Sequence, residues 1–123
     1  MTVIDSSSWI EALRQSGSPV VKARVAALLE RGEAAWCAMI RLELWRGARA
    51  GDERKAILYL EQRIDDLEIN ATIWTNALEL MRKARSKGLT APSQDVLIVA
   101  TARYHGALIE HHDKHLAELV ELA

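Results

Sequence analysis

The chain has 123 residues, with 16 Lys and Arg against 17 Asp and Glu, four His and one Cys. This length suits a single domain over residues 1–123. The lone cysteine, Cys37, excludes an intramolecular disulfide framework. A formal net charge of −1 argues against binding nucleic acid through bulk electrostatics. It leaves room for a nuclease, since such an enzyme can concentrate acid in one pocket and base around its rim.

Neither a membrane segment nor a leader is predicted. The longest uncharged stretch, Ile69–Leu78, is too short to span a bilayer. The N-terminus has no basic flank and reaches an acid at Asp5, unlike a signal peptide. We therefore expect a cytoplasmic globular protein.

Short apolar segments predict buried strands. Four of them are Thr2–Ile4, Ala34–Cys37, Leu67–Ile69 and Ala107–Ile109. A further segment, Val120–Leu122, fits either a fifth strand or the last turn of a helix.

Helical patterns lie between these segments. They cover Val20–Arg31, Ala38–Ala50, Glu53–Arg63, Ala71–Lys87 and Gln94–Tyr104. Glycines at 32, 88 and 106 predict helix ends, whereas Ser18 and Ser93 are expected to cap helix starts. The alternation predicts an α/β fold with a short central parallel sheet of four to five strands and helices on both faces. In such sheets, sites form at the carboxyl ends of the strands.

Four carboxylates are candidates for such a site: Asp5, Glu43, Asp95 and Asp113. Asp5 and Asp113 follow predicted strands, and each also suits a helix cap. Glu43 interrupts an apolar helix stripe, where an internal salt bridge is the simpler interpretation. Asp95 opens a helix, where an acid also compensates the dipole.

Taken together, the four acids are expected to meet at one edge of the sheet. Clustered carboxylates repel each other, and their ionisation is suppressed without a counter-charge. A hard divalent cation such as Mg²⁺ resolves that conflict, because it prefers oxygen ligands. One or two such ions can activate water against a phosphodiester.

These motifs together resemble the PIN-domain family, specifically VapC-type toxins of toxin–antitoxin pairs, over nearly the whole chain. The opening run Val3–Ile10, the helix segment Arg41–Gly47 and the helix segment Gln94–Ala102 are similar to the family's first three acidic motifs. Gly106–Ile109, continuing to Asp113, resembles its last strand and fourth acid. No single piece is specific, but their order and spacing are.

The resemblance implies a Mg²⁺-dependent endoribonuclease, with Mn²⁺ as a possible substitute. Asp5, Glu43, Asp95 and Asp113 match the catalytic, metal-binding acids, and Ser7 matches a hydroxyl residue that supports the first acid. It also implies a tRNA or ribosomal RNA substrate, a small cognate antitoxin and a homodimeric toxin.

The sequence departs from the family pattern near its end. His111 stands where Thr is common, His115 where a further Asp is common, and Leu116 replaces Phe. Four acids are left instead of five, which puts a second metal in doubt.

Histidines and arginines supply further candidates. His112 and His115 are candidates for contact with the substrate phosphate, and a histidine zinc site is the sharper alternative. Plain polar surface is the simplest interpretation of both. Arg41 and Arg46, with Arg49, Arg85 and Lys87, are candidates for a phosphate-binding rim, with solvated helix faces as the default. Trp45 and Trp74 are candidates for an antitoxin or dimer groove, whereas Trp9 is assigned to the core.

Two other functions compete with the nuclease. A catalytically weak PIN-like module that only binds RNA or a partner would explain the missing fifth acid. A phospho-receiver domain shares the length and layering, but it needs paired acids after the first strand and a lysine after the last, and neither is evident.

Overall fold

A computed structural model describes all residues, 1–123. The three strands are β1 (Thr2–Ile4), β2 (Ala34–Ala35) and β3 (Leu108–Glu110). The seven helices are α1 (Ser6–Leu13), α2 (Pro19–Glu30), α3 (Ala38–Gly47), α4 (Gly51–Glu61), α5 (Ala71–Ser86), α6 (Ser93–Tyr104) and α7 (Lys114–Leu122). None of these helices combines the length and the apolar character needed to cross a bilayer.

The strands form one parallel sheet in the order β2-β1-β3. Thr2 pairs with Ala34 on one side of β1 and with Leu108 on the other. Because all three strands run in the same direction, their carboxyl ends lie at one edge of the sheet. Asp5 follows β1 at that edge, and the chain leaves β3 there toward Asp113.

Two hydrophobic clusters hold the helices around the sheet. The larger joins β1 and β2 to α1, α2, α3 and α4, with Trp9 and Trp36 buried at its centre. The smaller joins α5, α6 and α7. Helix α6 contributes to both, because its residues 95–102 are all buried. A helix enclosed on every side is apolar all round, so an acid on it stands out.

The predicted helix boundaries hold at several points. Ser18 caps α2, accepting the Val21 amide at 3.3 Å just before Pro19. Gly32 and Gly106 both adopt φ of 67°, the left-handed conformation that a helix-ending glycine takes without strain. The predicted cap Ser93 is instead the first residue of α6, and Pro92 precedes it without a capping side chain.

The prediction of four to five strands is wrong, because the sheet has three. Leu67–Ile69 forms no strand. The preceding residue, Asp66, makes an isolated bridge to Trp36, and the Leu67 amide donates to the Trp36 carbonyl at 2.8 Å. The chain then turns at once into Asn70, which caps α5, so no ladder can extend. Of the two interpretations of Val120–Leu122, the helical one is confirmed, because these residues form the last turn of α7.

Candidate active site

Asp5 stands at the junction of strand and helix. Its backbone N–H donates to the Glu110 carbonyl at 2.9 Å, which continues the β1–β3 pairing by one step. Its side chain then caps α1, as the sequence allowed. The carboxylate is therefore fixed at the carboxyl edge of the sheet and is only 2% exposed.

The two oxygens of the Asp5 carboxylate have different surroundings. Oδ2 accepts the Ser7 amide at 3.0 Å and the Ser7 hydroxyl at 2.6 Å. The Ser7 hydroxyl in turn accepts the His112 amide at 2.9 Å, which ties α1 to the loop after β3. Oδ1 is buried and has no hydrogen-bond partner. A buried carboxylate oxygen without a donor is costly, so this atom is suited to a cationic ligand.

Glu43 reaches the same region from α3. Its Oε1 accepts the Ser6 hydroxyl at 3.1 Å. Burial raises the pKa of Glu43 to about 7, and the negative charges of Asp5 and Asp95 contribute, while Ser6 and Arg46 act in the opposite direction. The internal salt bridge that the sequence left open is absent, since no ion pair within 4.0 Å involves Glu43.

Asp95 and Asp113 complete the group. Burial raises the pKa of Asp95 to about 6, with further contributions from the charges of Asp5 and Asp113 and a small opposing one from His115. Asp113 caps α7 and accepts the His115 amide at 2.7 Å. It thus has the capping role that its sequence position suggested, and it also contributes charge to the cluster.

The structure therefore brings the four acids into one electrostatic neighbourhood, although not into a closed cage. No three His, Cys, Asp or Glu side chains approach closely enough to enclose a metal ion as they stand, and this includes the histidines considered for zinc. Mg²⁺ binds through one or two carboxylates and keeps several waters. The unpartnered Asp5 oxygen and the raised pKa values of Glu43 and Asp95 fit such an open, hydrated site.

The predicted rim residues divide into two groups. Arg41 is held by Asp66 and by Glu61, at 2.9 Å to the latter, so its guanidinium is already neutralised on the side of α3 that meets α4. Arg46 has no such partner, and its charge reaches Glu43. His115 lies beside Asp113, with Nδ1 3.5 Å from Oδ1. His112 contributes its backbone N–H to Ser7, while the residue itself is exposed.

Sequence reasoning missed two supports of the site. Ser6 was assigned no role in the site, but its hydroxyl donates to Glu43. Glu110, at the end of β3, accepts the Ser8 hydroxyl at 3.0 Å and pairs with Arg24 through Nε at 2.8 Å. The serine run was a usable signal for Ser6. The pair of Arg24 and Glu110 spans 86 residues, and no local pattern announces it.

The fold and the site together define a class of protein: a parallel α/β domain with a carboxylate cluster at the ends of its strands. The PIN-domain profile matches residues 2–122. VapC ribonuclease Mb1587 of Mycobacterium bovis is 34% identical over 117 residues, covering 92% of this chain and 87% of that protein. Ribonuclease VapC21 of Mycobacterium tuberculosis is 26% identical over 107 residues, covering 85% and 78%.

Solved structures show the same fold at lower identity. VapBC2 from Rickettsia felis, bound to a fragment of promoter DNA, aligns with a TM-score of 0.78 and 16% identity, covering 96% of this chain and 92% of that one. FitAcB from Neisseria gonorrhoeae aligns with a TM-score of 0.75 and 19% identity, covering 100% and 95%. The chain belongs to the PIN-domain family and, within it, to the VapC type.

Proposed function

We propose that the protein is a metal-dependent endoribonuclease toxin that hydrolyses RNA phosphodiester bonds and is neutralised by a cognate antitoxin. The observation that carries the proposal is the buried Asp5 carboxylate, which has one unpartnered oxygen and lies beside two carboxyl groups with raised pKa values. The ribonuclease names of its relatives support the same reaction. The RNA class, of tRNA or ribosomal type, is part of the proposal.

Asp5, Glu43, Asp95 and Asp113 are assigned to hold Mg²⁺, or Mn²⁺ in its place. When bound, the ion would supply a polarised water and stabilise the negative charge that develops on the phosphate. Ser7 fixes the orientation of Asp5, and Ser6 fixes that of Glu43. The raised pKa values imply that binding releases protons near neutral pH, because ligand carboxylates must be ionised.

The test begins with the chain purified free of any partner. RNA is incubated with the protein and Mg²⁺ or Mn²⁺, and cleavage is followed by gel electrophoresis. We expect cleavage that EDTA abolishes. An inactive, correctly folded protein at saturating metal would contradict the proposal.

A weak binding module is the second candidate, and the absence of the fifth acid, where His115 stands, favours it. In that case the chain would bind RNA or a partner with the same affinity in EDTA as in Mg²⁺, and no cleavage would accompany binding. Filter binding at both conditions separates the two functions.

The antitoxin is assigned to an apolar groove between α1, α2 and α4, about 230 Å³ in volume. Nine of its ten lining residues are hydrophobic, among them Leu13, Val25, Leu29 and Tyr59. An amphipathic helix that lays its apolar face into such a groove is a common recognition mode. The solved relatives named VapBC support a partner chain of this kind.

Leu29→Glu is expected to weaken neutralisation without reducing RNA cleavage. A carboxylate placed in the groove must be desolvated when the partner helix binds, which costs several kcal/mol, so inhibition is expected to need at least about tenfold more partner. Leu58→Glu is the matched control, because Leu58 is exposed on α4 outside the groove. Equal inhibition of both variants would contradict the assignment.

Homodimer formation is proposed on a different surface. Trp74 and Leu78 lie one turn apart on α5 and are 54% and 59% exposed. Trp45, the other tryptophan considered for a groove, is instead partly buried against the larger core and donates to Glu61. We therefore assign the dimer surface to the exposed stripe on α5.

Arg46→Gln is expected to lower kcat/KM on RNA about threefold and to reduce its salt dependence, since one phosphate contact is lost. Arg41→Gln is expected to stay within about twofold of wild type, because Asp66 and Glu61 already engage Arg41. Cleavage rates at several salt concentrations test both. A larger loss for Arg41→Gln would show that its ion pairs open to bind substrate.

A further inference from the structure

A cavity beside the acid cluster extends away from it. It lies between α1, α3 and α4, has a volume of about 400 Å³, and has Glu43 in its wall. Because Glu43 belongs to both the cluster and the wall, a group bound in this cavity lies directly beside the acids. None of the steps assigned to the acids themselves requires the cavity.

Two guanidinium groups in the cavity wall have no ionic partner. Arg14 and Arg49 make no ion pair within 4.0 Å. The backbone N–H of Arg49 donates to Glu53 at 2.8 Å and lowers the pKa of Glu53, and the charges of Arg14 and Arg49 contribute in the same direction. Their side chains therefore present donors that nothing in the molecule occupies.

The rest of the wall combines five apolar residues with the carboxylates of Glu43 and Glu53, with Ser16 and with Gly47. Its hydrophobic members are Ile10, Leu13, Leu44, Ala48 and Ile57. Apolar walls with a few converging polar groups are typical of small-ligand sites. An unstacked nucleobase has the matching chemistry, because it offers a flat face for apolar or guanidinium contact and acceptor atoms at its edges.

An antitoxin segment is the less suitable occupant. Nine of the ten residues that line the groove between α1, α2 and α4 are hydrophobic, whereas only five of the eleven that line this cavity are. Glu43 and Glu53 balance Arg14 and Arg49 in formal charge, but the two guanidinium groups keep free donors for the acceptor atoms of a ligand. A nucleotide brings a phosphate together with its base, and a peptide helix does not.

We propose that this cavity receives one unstacked nucleobase of the RNA, next to the phosphate to be cut, and so determines the sequence preference of cleavage. The inference rests on the proposed ribonuclease function and adds a specificity site to it. Arg14 and Arg49 contact the base or its phosphate, and the apolar wall holds the face of the base.

Gly47→Leu tests the cavity by filling it. Gly47 lines the cavity, and a Cβ built there meets no atom within 4 Å at an ordinary φ, so the added side chain has room to enter. Gly51→Leu is the matched control, since Gly51 is equally open but lies outside the cavity. Thermal melting of both variants confirms that they fold.

Two rates are compared for each protein with Mn²⁺. One is the cleavage of a mixed RNA pool, with cut sites mapped by sequencing, and the other is the hydrolysis of bis(4-nitrophenyl) phosphate, which has no base. For Gly47→Leu, we expect the nucleotide preference beside the cut to flatten. The ratio of the RNA rate to the diester rate should fall about tenfold, the effect of losing one base contact. Gly51→Leu should keep the wild-type nucleotide preference and the wild-type ratio of the two rates.

Every other outcome overturns the assignment. An unchanged preference in Gly47→Leu shows that no base enters the cavity. If that unchanged preference accompanies loss of inhibition by the cognate antitoxin, the cavity belongs to the partner. A parallel fall of both rates shows that the cavity only supports Glu43. A wild type inactive on both substrates overturns the ribonuclease proposal itself, and the base site with it.

Discussion

Asp5→Asn is expected to reduce RNA cleavage by at least about 10²-fold, since the loss of a metal-ligand charge removes several kcal/mol of transition-state stabilisation. The substitution keeps the shape of the side chain and an oxygen that can accept from Ser7. It removes the negative charge and places an amide group at or beside the unpartnered position. Activity should therefore fall while the fold is kept.

Single-turnover cleavage of RNA at saturating Mg²⁺ measures this loss. Asp65→Asn is the matched control, because Asp65 is exposed and takes part in no ion pair or side-chain hydrogen bond. Its rate should equal that of wild type. Wild-type activity in a folded Asp5→Asn protein would show that the carboxylate cluster is not the active site.

Asp95→Asn is expected to stabilise the metal-free protein and to abolish its response to Mg²⁺. Asp95 is 7% exposed, and burial and the charges of Asp5 and Asp113 penalise its ionised form. Removing the charge relieves that penalty but loses a favourable acid near a helix N-terminus. The expected net gain of about 1 kcal/mol corresponds to a Tm increase of roughly 3–6 °C for a domain of this size.

Mg²⁺ is expected to stabilise only the wild-type protein. In wild type, binding to the folded state raises Tm by mass action, by about 2.7 kcal/mol at 100 times Kd. Asp95→Asn should show little or no increase. Differential scanning fluorimetry with and without Mg²⁺ measures both effects, and a wild-type protein without any Mg²⁺ response would count against a cation site.

The pH dependence of the metal-free protein provides a second measurement of the same penalty. The pKa values of Asp95 and Glu43 in the folded protein are raised to about 6 and about 7. The folded state therefore holds these protons more tightly than the unfolded chain, and its stability falls as pH rises from about 4 to about 7. Below that window the penalty is absent, and above it the penalty is complete. The fall should be smaller in Asp95→Asn.

Several features could be predicted from local sequence because local chemistry determines them. Gly32 and Gly106 end helices through a backbone conformation that glycine adopts without strain, and Ser18 caps a helix through an amide three residues away. The apolar stripe of α3 made Glu43 conspicuous for the same reason, since helical spacing alone places it among buried neighbours such as Ile40 and Leu44.

The number of strands could not be predicted in this way. Leu67–Ile69 has two apolar residues and was predicted as a strand, yet it forms no ladder, and only the preceding Asp66 makes a bridge. Whether an apolar segment pairs depends on the length of partner strand available beside it, and β2 has only two residues. That is a property of the assembled sheet and not of the segment.

The sequence by itself determined helices α2 to α6 and the four unusual carboxylates, because these follow from spacing along one element. The alternation of helices with short apolar segments determined the parallel sheet. Only the tertiary structure decided how these carboxylates are used. It left one Asp5 oxygen without a partner, supplied Ser6 to Glu43, and directed Arg41 to Asp66 and away from the acids. Hydrogen bonds and charge pairs act over a few ångströms in space, so residues that meet only after folding leave no trace in local sequence.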